Sequence, residues 1–145
     1  MDTGSTTSNL STATSSLRKL WEDEQRYPRW FKDASETWDA DWESFEKRCK
    51  ESYAVHEIDG TFVFTEHSGE IHFGSIRGTR PNIEKLLEIQ TELLKHFPYL
   101  FGWINVRNRG MRRIAEQLGF RFYGVRMFHG TVKGKVGEWL CYTVK

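Results

Sequence analysis

The sequence predicts a single α/β domain built on a mixed, mostly antiparallel sheet flanked by helices, occupying residues 17–145 behind a Ser/Thr-rich flexible tail at 1–16. Three observations carry this. The chain has 145 residues, of which 38% are hydrophobic and 14% aromatic, enough for one buried core and too few residues for two. The apolar period changes along the chain, from helical spacing before residue 50 to alternation over 53–76, with both periods recurring afterwards. Turn and stop signals fall between these runs, at Asp59-Gly60, Ser68-Gly69, Pro81, Pro98 and Gly119. No internal repeat is visible.

Residues 1–16 read MDTGSTTSNLSTATSS, a composition that buries too little apolar surface to offset the entropy of ordering. A short helix is expected over Ser16 to Glu24, ending before Pro28. Asp33 and Glu36 have capping-box spacing, and Trp38, Trp42, Phe45 and Cys49 then recur as one helical stripe, a core face. Tyr53 to Ile58, Thr61 to Glu66 and Glu70 to Ile76 are β-rich runs joined by the two tight-turn pairs, which predicts three antiparallel strands. Pro81 suits a first helical position, and Ile83, Leu86, Leu87, Leu93, Leu94 and Phe97 mark the buried face of a helix over 81–97. Tyr99 to Val106 reads as a buried strand running parallel to Glu70 to Ile76, the helix between them being the crossover. Arg109 to Leu118 is a helix with Met111, Ile114, Ala115 and Leu118 inward, closed by a left-handed Gly119, and two strands at about 120–129 and 137–144 complete the order α-α-β-β-β-α-β-α-β-β.

Net charge is +1, which removes the general case for a polyanion binder. The charge is nonetheless uneven: residues 20–46 hold nine acidic against three basic side chains, and residues 77–126 ten basic against four acidic. Arg77, Arg80, Arg107, Arg109, Arg112, Arg113, Arg121 and Arg126 gather around two expected helix N-termini, where phosphate is well received. An acidic protein partner or a nucleic-acid backbone fits these charges, as does pairing with the protein's own acidic helices. Trp103, Phe122 and Tyr123 lie among the arginines, yet all three fit core strands, so base stacking has little support. Cys49 and Cys141 stand far apart, without disulfide or zinc spacing, which fits a reducing, cytoplasmic setting. No apolar run reaches the ~18 residues of a membrane span. Oligomeric state is not encoded in any of these features.

The run Asn108-Arg109-Gly110-Met111-Arg112-Arg113-Ile114-Ala115-Glu116-Gln117-Leu118-Gly119-Phe120 follows a strand and ends in Leu-Gly-Phe. It resembles the GNAT superfamily of N-acetyltransferases, which often carries Asn at a strand end, a small or apolar residue three later and Gly-Phe at eleven and twelve later. The resemblance covers about residues 53–145 and extends to the order of elements. In its brevity the chain is similar to GNAT-like proteins of tailed phages, some of them internal virion or head-assembly proteins. The resemblance implies acetyl-CoA held between the splayed fourth and fifth strands of the family, with Asn108 at the splay and Arg112 beside it. The family's phosphate loop, Gln/Arg-x-x-Gly-x-Gly/Ala, corresponds here to Arg77-Gly78-Thr79-Arg80-Pro81-Asn82. Arg80 replaces the first glycine and Pro81 removes an amide donor, so Arg77 and Arg80 would meet phosphate with side chains around Gly78. The family's frequent general-acid tyrosine falls at Ala115.

Glu70 lies where some members of that superfamily place the glutamate that deprotonates an amine. Alternation puts Glu70, His72 and Gly74 on one strand face, so Glu70 with His72 is the candidate catalytic pair; the alternative is a solvated residue after a tight turn. The five histidines lack evident carboxylate or cysteine spacing, so no metal site is expected. Ser75 lies outside any Gly-x-Ser-x-Gly elbow. Two function classes follow: an acetyl-CoA-dependent N-acyltransferase acting on an amine, or a catalytically silent binding module, as in a phage particle or against a host factor.

Overall fold

The computed structural model describes residues 10–26, 41–132 and 135–145. In chain order they form α1 (Leu10–Arg26), α2 (Trp42–Glu51), β1 (Ala54–Ile58), β2 (Thr61–Thr65), β3 (Ile71–Ser75), α3 (Ile83–Leu93), β4 (Leu100–Asn105), α4 (Arg109–Gln117), β5 (Arg121–Val132) and β6 (Lys135–Val144). The expected order of elements is the observed one.

Several boundaries differ, each for a local reason. α1 begins at Leu10 rather than Ser16, so residues 10–16 of the expected tail are helical, while residues 1–9 lie outside the described residues. Ser and Thr cost only about 0.5 kcal/mol each against Ala in a helix, so turns anchored further on by buried Leu17 and Leu20 continue through them. Asp33, Glu36 and Trp38 also lie outside the described residues. The described helix is capped by Asp41, whose carboxylate accepts from the Ser44 amide at 2.8 Å and from its hydroxyl at 3.0 Å. In α3 the cap is Asn82, accepting from the Lys85 amide at 3.1 Å, so Pro81 precedes the helix instead of opening it. That helix ends at Leu93, and its buried line is Leu86, Ile89 and Leu93, with Leu87 turned outward.

The strands form two three-stranded antiparallel sheets, β1-β2-β3 and β4-β6-β5. The hairpin between β1 and β2 turns through Asp59 and Gly60, both at positive φ, as a two-residue hairpin requires. Central β2 is buried on both faces. Phe62 and Phe64 stack on each other and pack under Leu17, Leu20, Trp42, Phe45 and Cys49 of the first two helices. On the opposite face Val63, with Ile58 and Ile71, joins α3, α4 and the core side of the second sheet through Leu100, Ile104, Leu140 and Tyr142. Gly119 adopts the expected left-handed conformation at φ 87° after α4. Phe122 and Tyr123, expected in the core, are 42% and 67% exposed instead. They lie on the outer strand β5, whose register slips between Phe122 and Arg126. Among the described residues no helix is long and apolar enough to cross a membrane.

Candidate active site

The two sheets meet at one parallel bridge, Glu70 with Phe101, where the Phe101 amide donates to the Gly69 carbonyl at 3.1 Å. Glycines permit the approach. A Cβ on Gly69 would lie 2.9 Å from the Tyr99 carbonyl oxygen, and one on Gly102 would lie 3.2 Å from that of Ile71. Beyond this point β3 and β4 belong to different sheets and share no further ladder pairing, so the two strands are free to part toward their carboxyl ends. The expected parallel strand pair is therefore reduced to its first residues, while β4 pairs along its length with antiparallel β6 on its other edge.

Alternation assigns the side chains around this junction. Ile71 belongs to the core beneath α3, so Glu70 and His72 face the other way, toward the side of β3 occupied by the first two helices. Phe101, Trp103 and Asn105 of β4 share a face with their register partners Thr143, Cys141 and Trp139 of β6. Glu66 stands opposite Glu70 across the 67–69 turn, its amide donating to the Glu70 carbonyl at 2.8 Å. His72 Nε2 lies 2.6 Å from Glu66 Oε2 and 3.8 Å from Glu70 Oε2. The edge of the Tyr53 ring system packs against the imidazole, with centroids 5.7 Å apart. Burial holds the Glu70 carboxyl above its ordinary range; the nearby His72 pulls it down and the facing Glu66 pushes it up. Burial, with a smaller contribution from Glu70, likewise raises the Cys141 thiol, so that sulfur is a poor nucleophile.

The structure thus brings Glu70 and His72 together as expected and adds Glu66. The spacing Glu66-x3-Glu70-x-His72 is the signal that sequence reading passed over, since residues flanking a three-residue turn face each other. Ligand atoms of these three side chains all lie within 4.8 Å of one another.

The other candidate residues lie at the carboxyl ends of the parted strands. After β3 the loop Arg77-Gly78-Thr79-Arg80 leads to α3, with both arginines exposed and Gly78 at φ 88° in open space. The Arg77 amide donates to Asp23 of α1 at 2.9 Å and the Thr79 amide to the Ile76 carbonyl at 2.9 Å, so two amides that could face an anion are engaged within the protein. After β4, Asn108 caps α4, its side-chain oxygen accepting from the Met111 amide at 3.1 Å. Arg112 donates to the Val106 carbonyl at 3.0 Å and to the Tyr142 hydroxyl at 3.2 Å, which ties α4 to the sheet. Ala115 is buried in the core. Arg126 pairs with Glu138 at 3.1 Å, away from the acidic helices.

No family model and no curated protein sequence matches the chain. Solved structures do. The ribosomal L7/L12 α-N-protein acetyltransferase RimL, in complex with coenzyme A, superposes with a TM-score of 0.69 at 9% identity, over 96% of this chain and 92% of RimL. An N-acetyltransferase from Staphylococcus aureus Mu50 gives 0.67 at 13% identity, over 97% and 96%. The microcin C7 self-immunity acetyltransferase MccE, in complex with acetyl-CoA and AMP, gives 0.64 at 11% identity, over 96% and 90%. At such identities the likeness is one of fold: the chain has the GNAT fold.

Proposed function

We propose that this protein is an acetyl-CoA-dependent N-acyltransferase that acetylates an amine of a small molecule or protein. The observation that carries the reading is the half-buried Glu70 carboxylate, set beside His72 at the bridge from which the parallel strands β3 and β4 part. Coenzyme A and acetyl-CoA in the complexes of RimL and MccE support it.

Bound acetyl-CoA supplies an activated acetyl carbonyl. Arg77 and Arg80 would meet its phosphates with guanidinium groups around Gly78, because the loop amides are partly engaged. Asn108 and Arg112 hold the head of α4 at the end of β4. An amine attacks only when neutral, so its ammonium proton must leave first. Glu70, made more basic by burial, takes that proton directly or through one water. With Ala115 at the family's tyrosine position, no side chain is assigned to protonate the departing thiolate.

Calorimetry with acetyl-CoA, followed by transfer assays on an amine panel, tests this. The expected result is binding by wild type, strong weakening and a flatter salt dependence in Arg77→Ala with Arg80→Ala, and intact affinity in Glu70→Gln with transfer reduced by about 10² or more. Silence of the wild type at millimolar acetyl-CoA would refute the enzyme reading and leave a GNAT-fold binding module.

A further inference from the structure

Glu66 and Glu70 face each other across a hairpin end, an arrangement of like charges that normally costs stability. The imidazole of His72 sits between them but not evenly. It is within hydrogen-bond length of Glu66, at 2.6 Å, and beyond it from Glu70, at 3.8 Å. Both carboxylates approach the same atom, Nε2, so the proton there can be donated at full strength to one of them only.

We propose that Glu66 is a positioning residue: by holding the His72 Nε2 proton it keeps the imidazole off Glu70 and leaves that carboxylate available as proton acceptor. The inference rests on the acetyl-transfer reading for its purpose, but its geometry stands independently. Glu66 and His72 act as one unit. With Glu66 truncated, the nearest acceptor for Nε2–H is Glu70, which would then be hydrogen-bonded and less basic. With His72 removed and Glu66 kept, two bare carboxylates face each other, and Glu70 would hold its proton to higher pH. With both removed, the two effects cancel. The other titratable neighbours are Cys141 from β6, whose raised thiol stays neutral, exposed His67 on the turn, and Tyr53, whose ring packs on His72.

The experiment follows the Glu70 side-chain carboxyl by carbon NMR through a pH titration of the unliganded full chain, in wild type, Glu66→Ala, His72→Phe and the double variant. The backbone bonds of the turn, Glu66 N to Glu70 O and Gly69 N to Glu66 O, do not involve the substituted side chains. Glu66→Leu keeps much of the volume but offers no acceptor to His72, and it is used in the same way where the shorter side chain loosens the turn. Expected are shifts of about one pH unit, downward in Glu66→Ala and upward in His72→Phe, with the double variant returning toward wild type. In acetyl-transfer assays the acid limb of kcat/KM should move in the same directions, and the double variant should recover activity lost in Glu66→Ala. An unmoved Glu70 titration in Glu66→Ala, or single variants that shift it the same way, overturns the positioning role. Opposite shifts in a protein that transfers no acetyl group uphold the positioning role and sink the enzyme reading instead.

Discussion

His56 shares a strand face with Ile58 and its partner Val63, and its Nδ1 is buried without a hydrogen-bond partner. Burial lowers its pKa from 6.5, and the stability consequence has a definite sign. Above 6.5 both folded and unfolded chains hold a neutral imidazole; as pH falls below it, the unfolded chain takes up a proton that the folded chain refuses, so stability is lost. Melting measured between about pH 7.5 and about pH 5.5 should fall in wild type and fall less in His56→Leu. An equal drop in both would mean that His56 does not titrate differently on unfolding. Glu70 works in the opposite sense: its raised carboxyl contributes stability that is present below 4.5 and lost as pH rises through the folded value. Glu70 and His72 were legible in the sequence because alternation needs only neighbouring residues. Glu66 was not singled out, since its partner lies across a turn whose geometry decides which side chains oppose.

At the scale of single elements, α2 and α4 show two ways in which a sequence pattern becomes a stable helix. Trp42, Phe45 and Cys49 form the buried stripe of α2, and Trp42 contacts Trp21, Phe45 and the guanidinium of Arg18. Trp42→Ala should therefore cost about 3 to 5 kcal/mol in denaturant unfolding; wild-type stability would mean that the stripe does not face the sheet. In α4 the decisive residue is the cap. Asn108→Ala should lose about 1 kcal/mol while Asn108→Asp, which keeps the accepting oxygen, should lose little. Equal losses would point to a role for the amide nitrogen that capping does not require. The α4 face, its Gly119 terminator and the turn glycines were readable because they depend on local backbone geometry. The exposure of Phe122 and Tyr123 was not, because a strand's hydrophobicity does not tell whether it lies at the centre or the edge of a sheet.

For the whole molecule the critical place is the contact between the two sheets. Gly69→Ala should lose about 1 to 3 kcal/mol from its φ of 92° alone, with a further loss from the Cβ set against the Tyr99 carbonyl. If the protein binds acetyl-CoA as proposed, the same change should weaken that binding by altering how β3 and β4 part. Gly110→Ala is the control: it lies in helix α4 with open space around it and should stabilise by about 0.4 to 1 kcal/mol. Paired thermal melts and calorimetry check both, and a Gly69→Ala protein that melts and binds like wild type would show that the approach of the strands is not tight.

The sequence by itself determined the kind and order of the described elements, the two core stripes and the face on which Glu70 and His72 lie, since each follows from periodicity and turn chemistry within a few residues. The family resemblance in Asn108 to Phe120 likewise rested on local spacing. Only the tertiary structure decided that the expected sheet is two sheets joined at a single bridge, that Glu66 completes the carboxylate–imidazole group, and that Arg112 donates into the body of the protein. These outcomes depend on which strand edges compete for hydrogen bonds and how twisted sheets diverge, and residues far apart in the chain settle that competition together.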